Sequence, residues 1–177
     1  MIWESRYWKE PLLKMAARLR KLKNCHRITE RQIAKIEQDI FIGFYSIRKL
    51  IETVTKISDK TKNMQVDIKW YPNMDYVNLI NNHKVDELYD LTKINSDTKN
   101  ITFICGRIIH SFIFLPEFDE NGLSNILFTS DNDAQNRLYS MDIDEVIRIF
   151  ECFGNDYPHR IEYEQDQETG KVKMVVK

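Results

Sequence analysis

The feature that most constrains this chain is an apolar run at residues 101–115, ITFICGRIIHSFIFL, in which Arg107 and His110 are the only basic residues. At helical spacing, apolar side chains fall on both sides of this run, and a helix that is apolar all round must be covered by protein on both sides. We therefore predict a buried helix over residues 101–115 that ends before Pro116, because the residue before a proline disfavours helical dihedral angles. Arg107 and His110 then lie one turn apart between two Phe rings.

Two further helices are predicted from apolar periodicity earlier in the chain. Residues 8–24 repeat apolar side chains at spacings of three and four, which is typical of an amphipathic helix. Residues 29–56 carry a second, longer apolar stripe, and Thr29 with Gln32 matches a capping box at its start. Gly43 is a poor helix former, so its place inside this helix predicts the close approach of another backbone.

The rest of the chain contains shorter and more varied patterns. Residues 77–91 are predicted to form one helix or two short ones, residues 142–153 a helix, and residues 95–100 a polar loop. The predicted strands are residues 64–70, 126–129, 137–141, 161–164 and 171–176, of which the last two form a hairpin.

Together these patterns predict an α+β protein, with a mainly α-helical N-terminal bundle and a small mixed α/β C-terminal part packed on it. We place the helical bundle, with one short strand, at residues 1–118 and an acidic α+β extension at residues 119–177. No linker rich in Gly, Ser or Pro separates the two ranges, so we expect one continuous compact unit.

Composition and motifs exclude several classes of function. The three Cys residues are widely spaced and form no CxxC pattern, so we predict reduced thiols and no structural zinc site. The sequence has no Gly-rich phosphate loop, GxSxG or HExxH motif, so we expect no metal and no cofactor. The apolar runs are too short to span a bilayer and the N-terminus lacks a signal-peptide pattern. We therefore expect no membrane partner and a cytoplasmic location.

The net charge of −1 conceals a basic beginning and an acidic end. Residues 1–35 carry ten Lys and Arg against three Glu, whereas residues 116–177 carry six Lys and Arg against fourteen Asp and Glu. Three interpretations stay open: two solvated surfaces, a basic end that meets nucleic acid or another anionic partner, and protomers that attract each other. The candidate nucleic-acid-binding residues are Arg6, Lys14, Arg18 and Lys21.

Three aromatic residues, Trp3, Tyr7 and Trp8, stand beside this basic stretch. Aromatic rings interleaved with Arg and Lys can stack on single-stranded bases. The same rings can instead anchor the first helix to the core of the protein.

The pair Arg107 and His110 is the candidate catalytic site. A His can move the proton of a 2′-hydroxyl or a leaving group, while a guanidinium stabilises the phosphate, and this chemistry needs no metal. Alternatively, His110 bonds a backbone carbonyl or a carboxylate, and Arg107 pairs with an acidic residue. Arg48 is the third candidate, either joining this site from the second helix or pairing locally with Glu52.

The long helix DIFIGFYSIRKLIE at residues 39–52, followed by a second apolar helix with Arg and His, resembles the HEPN superfamily over residues 29–116. The resemblance implies a domain of four to five helices. Many such domains are metal-independent RNases of toxin–antitoxin, phage-defence and CRISPR systems, and they act as dimers. By position, His110 corresponds to the catalytic His and Arg107 to the Arg. Only two residues separate them here, which leaves open a domain that binds RNA or a partner without cutting.

The leading functional hypothesis is therefore a HEPN-like homodimer that binds or cleaves RNA, in a bacterial toxin or phage-defence context. The alternative is a non-catalytic protein–protein interaction subunit or inhibitor that uses an acidic C-terminal surface.

Overall fold

The computed structural model describes residues 2–165 and 172–177. The helices in those residues are α1 (Arg6–Leu22), α2 (Glu30–Glu52), α3 (Asp59–Lys62), α4 (Val85–Leu88), α5 (Ile101–Ile109) and α6 (Ile143–Asn155). The strands are β1 (Gln65–Pro72), β2 (Asn95–Asn100), β3 (Ser111–Phe118), β4 (Leu123–Ser130), β5 (Arg137–Asp142), β6 (Ile161–Gln165) and β7 (Val172–Val176).

Five of the strands form one antiparallel sheet in the order β2-β1-β5-β4-β3, and β6 pairs with β7 as a separate hairpin. Because alternate side chains of a strand point to opposite faces, each face of the sheet needs its own cover. Helices α1, α2, α5 and α6 share one apolar core with strand residues such as Val66 and Phe128. On the opposite face, residues 73–94 bury Leu88 and Tyr89 in a second, smaller apolar cluster.

The prediction of a mainly helical N-terminal bundle is wrong, because the five-stranded antiparallel sheet is central to the fold. Three of its strands lie within residues 1–118 and two follow residue 118. The apolar stripes of the helices, which suggested helix-on-helix packing, are covered in part by this sheet. Residues 95–100, predicted to be a loop, form strand β2. Their polar sequence suits an edge strand, which has a neighbouring strand on one side only.

The predicted helix over residues 101–115 is a helix followed by a strand. Helix α5 ends at Ile109, and β3 begins two residues later. A short apolar run does not distinguish the two structures, because a strand covered on both faces is also apolar throughout. Aromatic and β-branched side chains favour the strand, in which Phe114 pairs with Phe128 of β4. Pro116 lies inside β3, at the edge of the sheet, where a missing N–H is tolerated.

Two other helical predictions need correction. Helix α2 stops at Glu52, four residues before the predicted end. Residues 77–91, predicted as one helix or two short ones, are mostly irregular and contain only the single turn of α4. At Gly43 a ring comes close rather than a backbone, because an added Cβ would overlap the Phe150 ring of α6.

The remaining predicted elements are present, with boundaries that differ by a few residues; α1, for example, covers Arg6–Leu22 rather than the predicted residues 8–24. The capping box at the start of α2 is present, with the Thr29 side chain and the Gln32 side chain each bonded to the other's backbone. Asp142 caps α6 through the backbone N–H of Asp144. Strands β1, β4 and β5 overlap the residues predicted as strands, and β6 pairs with β7. Of the predicted turn at 165–170, Gln165 is the last residue of β6, and residues 166–170 and the start of the last strand at Lys171 lie outside the described residues.

Candidate nucleic-acid interface

One face of α1 is basic and exposed. The opposite face buries Leu12 and Leu19 in the core, which fixes the rotation of the helix. Arg6, Lys14 and Lys21 then point to solvent, as does Tyr7. Tyr7, Lys14 and Lys21 recur every seven residues, so they follow one line along the helix with steps of about 10 Å. The α1 basic face is defined here as Arg6, Tyr7, Lys14 and Lys21.

The predicted nucleic-acid-binding residues differ in how far protein carboxylates already neutralise them. Arg18 donates two hydrogen bonds, of 2.7 and 2.8 Å, to the buried carboxylate of Asp39 on α2, so its charge is neutralised within the protein. Arg6 pairs with Glu10 one turn away. Among the residues that the structure describes, Lys14 and Lys21 have no carboxylate within ion-pair distance. These two ammonium groups are therefore available to an external anion.

The aromatic residues near the N-terminus have divided roles. Trp8 is half-buried and packs against the main core, as the anchoring interpretation requires. Trp3 and Tyr7 are 93% and 76% exposed, so they do not anchor the helix. Exposed rings of this size are available for stacking on a planar ligand.

A surface cleft of about 600 Å³ lies beside Trp3. Its walls are the N-terminal residues 2–3 and residues 49–56, at the end of α2 and in the turn that follows. Two lysines, Lys49 and Lys56, line it. Sequence reasoning missed this cleft, because about fifty residues separate Trp3 from Lys56 and no local pattern links them. The only available signal was the aromatic residue next to a basic stretch.

The candidate catalytic residue Arg107 already has an acidic partner within the protein. Its Nε lies 2.5 Å from Asp133 Oδ2, in a contact without hydrogen-bond geometry. Its guanidinium carbon lies 4.7 Å from the centre of the Phe103 ring, and Asp133 also accepts a hydrogen bond from Tyr139. The predicted alternative of an acidic partner for Arg107 is confirmed.

His110 stands at the C-terminal cap of α5 and is exposed. Its backbone N–H bonds Gly106, whereas within residues 2–165 and 172–177 its imidazole has no hydrogen-bond or ion-pair partner. Arg48 pairs with Glu52 at 2.9 Å, as the local alternative predicted, and its guanidinium lies over Gly106. Three clefts of about 600, 610 and 680 Å³ occur on the described residues, and none is lined by Arg48, Arg107 or His110.

The comparisons with known proteins add no relative. No protein-family model, no curated protein and no solved structure matches this chain. In the part of the chain that the structure describes, no helix is long and apolar enough to cross a membrane. That part also holds no group of three or more His, Cys, Asp and Glu side chains arranged to bind a metal ion.

Proposed function

We propose that this protein binds single-stranded RNA through the α1 basic face. The observation that carries the proposal is that Lys14 and Lys21 are exposed, lie in line with the exposed ring of Tyr7, and have no carboxylate partner among the described residues. Ammonium groups contact phosphates, and an exposed aromatic ring stacks on a base without regard to sequence. A row of both along one helix suits an unpaired strand, whose bases are accessible.

The surroundings of Arg107 and His110 on α5 fit RNA binding better than RNA cleavage. A HEPN-like cleavage reaction would need the Arg107 guanidinium on the scissile phosphate, and Asp133 already contacts that guanidinium. His110 is accessible, but a lone imidazole lacks the cation that stabilises the phosphate in the transition state. Incubation of RNA with the purified protein in EDTA is therefore expected to leave the RNA intact.

The binding test compares two double variants that remove the same charge. Lys14→Gln/Lys21→Gln alters the α1 basic face. Lys84→Gln/Lys93→Gln is the matched control, because these lysines lie in residues 73–94 and are paired with Glu87 and Asp90. A fluorescently labelled 20-nucleotide RNA is titrated at several salt concentrations and its anisotropy is measured.

For the wild-type protein, binding should weaken steeply with salt. A single strand contributes a slope of about 0.7 in log K against log salt for each phosphate contact, so the α1 double variant should lower the slope by about 1.4. The control should keep the wild-type slope. Absence of binding at low salt, or equal slopes for the two double variants, would contradict the proposal.

A further inference from the structure

Beside the α1 basic face, the cleft between the N-terminal residues and the turn after α2 combines an unpacked indole with two cations. Trp3 forms one wall and is almost fully exposed, although a free indole on a protein surface loses the apolar burial that normally stabilises it. Lys49 and Lys56 contribute the facing walls. The cleft volume of about 600 Å³ lies in the range of small-molecule sites.

The walls of this cleft are held in place by hydrogen bonds. Lys56 Nζ donates to the Trp3 carbonyl at 3.2 Å, which ties the N-terminal segment to the turn. The Lys56 carbonyl in turn accepts a 2.7 Å bond from Nζ of the buried Lys9. An ammonium group has three donors, so Lys56 keeps two for a ligand. The site is thus organised before any ligand arrives, which lowers the entropy cost of binding.

The charges around the cleft favour an anionic aromatic ligand. Lys49 bonds Glu52 at 3.1 Å, and Arg48 bonds the same carboxylate. These two bonds hold the pKa of Glu52 below its usual range, so the carboxylate stays ionised, with two cations on it. The cluster of Arg48, Lys49, Glu52 and Lys56 therefore keeps a net positive charge next to the indole. A base joined to a phosphate matches this pairing of ring and cation.

We propose that this cleft is a nucleotide-binding pocket in which Trp3 stacks on one base of single-stranded RNA while Lys49 and Lys56 contact the adjoining phosphates. The proposal rests on the RNA-binding function of the α1 basic face and extends it to a defined base position. Trp3 lies four residues before Tyr7, so a strand that follows the row of Tyr7, Lys14 and Lys21 reaches the cleft at the N-terminal end of α1.

The first experiment uses the indole as its own reporter. The variant Trp8→Phe/Trp70→Phe retains Trp3 as the sole tryptophan, and circular dichroism checks its fold. Heptauridylate and heptaadenylate are titrated in, and the emission of Trp3 should fall in step with the binding seen by anisotropy. Emission that stays constant while RNA binds would overturn the pocket and leave the proposed function standing.

The second experiment measures affinity for the same two oligonucleotides. Trp3→Ala should weaken binding about tenfold, within the range for the loss of one stacked base, and Trp3→Phe should restore most of it. Tyr76→Ala removes another exposed ring, from residues 73–94, and should bind like the wild type. Wild-type affinity of Trp3→Ala overturns the pocket alone. Failure of the wild-type protein to bind either oligonucleotide overturns both the pocket and the RNA-binding function.

Discussion

At the scale of single residues, two unusual environments lie next to the Trp3 cleft. Thr55 has a φ of +69°, a left-handed conformation that is strained for a β-branched side chain. Lys9 is fully buried, with its ammonium donating to the carbonyls of Lys56 and Asp156 and lying over the Tyr157 ring. Burial lowers the pKa of Lys9. Thr55 lies in the turn that forms one wall of the cleft, and Lys9 bonds this turn at the Lys56 carbonyl.

The strain at Thr55 gives the first stability prediction. Thr55→Gly should raise the free energy of unfolding by about 1 kcal/mol, because glycine adopts positive φ without a steric penalty. The control is Thr53→Gly, at a position with φ of −101° whose hydroxyl bonds the Lys49 carbonyl; this variant should be less stable than the wild type. Urea denaturation of both variants measures the difference. A Thr55→Gly protein that unfolds more easily than the wild type would show that the turn is not strained.

At the scale of elements, α2 packs against α6 at a glycine of α2. The Phe150 ring of α6 lies directly over Gly43 of α2 and 5.4 Å from the Phe44 ring, measured between centroids. The contact between α2 and α5 is looser at Gly106, where an added Cβ would be 3.9 Å from Arg48 Nη1. Gly43 therefore has no room for an added Cβ, whereas Gly106 has.

These surroundings predict opposite effects of the same substitution. Alanine is favoured over glycine in a helix by about 1 kcal/mol, so Gly106→Ala should stabilise the protein by about that amount. At Gly43 the overlap with the Phe150 ring outweighs this gain, and Gly43→Ala should destabilise the protein by about 2 kcal/mol. Thermal unfolding followed by circular dichroism compares the two variants. A stabilised Gly43→Ala protein would mean that α6 can move away at little cost.

At the scale of the whole molecule, the basic beginning and the acidic end of the chain partly neutralise each other. Arg20 pairs with Glu151 and Lys23 with Asp144, so two cations of the α1 region lie against α6. Among the described residues, this leaves Lys14 and Lys21 of the α1 basic face as the exposed cations of the N-terminal helix without a carboxylate partner. Part of the excess positive charge of residues 1–35 is therefore exposed on one surface, the α1 basic face.

Both apolar clusters also contain buried groups that resist losing a proton. Burial raises the pKa of Tyr139 and of Cys105 to about 12 in the main core. Burial also raises the pKa of Tyr71 and Tyr89 in the second cluster. A pKa raised by folding means that the native state holds the proton more tightly than the unfolded state does. The stability that these groups contribute is complete below the unfolded pKa and is lost as the pH rises through the folded pKa.

The expected result is a fall in stability from about pH 9 for Cys105 and from about pH 10 for the tyrosines, continuing to about pH 12. Tyr139→Phe keeps the ring contacts with Phe103 and Phe128 but removes the hydroxyl, so its melting temperature should fall less steeply over this range. Lys9 acts in the opposite direction, because its pKa is lowered, but it is common to both proteins and cancels in the comparison. The control is Tyr7→Phe, on an exposed ring, which should follow the wild-type profile. Identical slopes for Tyr139→Phe and the wild type would contradict the assignment.

The sequence by itself determined the elements whose signal is local. The capping box of α2, the Asp142 cap of α6 and the alternation of β1 depend on neighbours within a few residues, so their patterns were sufficient. The pairing of Arg48 with Glu52 is equally local, since four residues span one helical turn. The sequence also marked the basic N-terminal helix, including the two lysines that remain without a carboxylate partner among the described residues.

Only the tertiary structure decided where long-range partners meet. The run at residues 101–115 suits a buried helix and a buried strand equally well, and pairing with β4 is what makes its second half a strand. The polar β2 is a strand because β1 supplies its hydrogen bonds. Asp133 meets Arg107 across 26 positions, and Trp3 meets Lys56 across 53. Such contacts form only when the whole chain packs around its two apolar clusters. The sequence of a single helix or strand therefore cannot predict them.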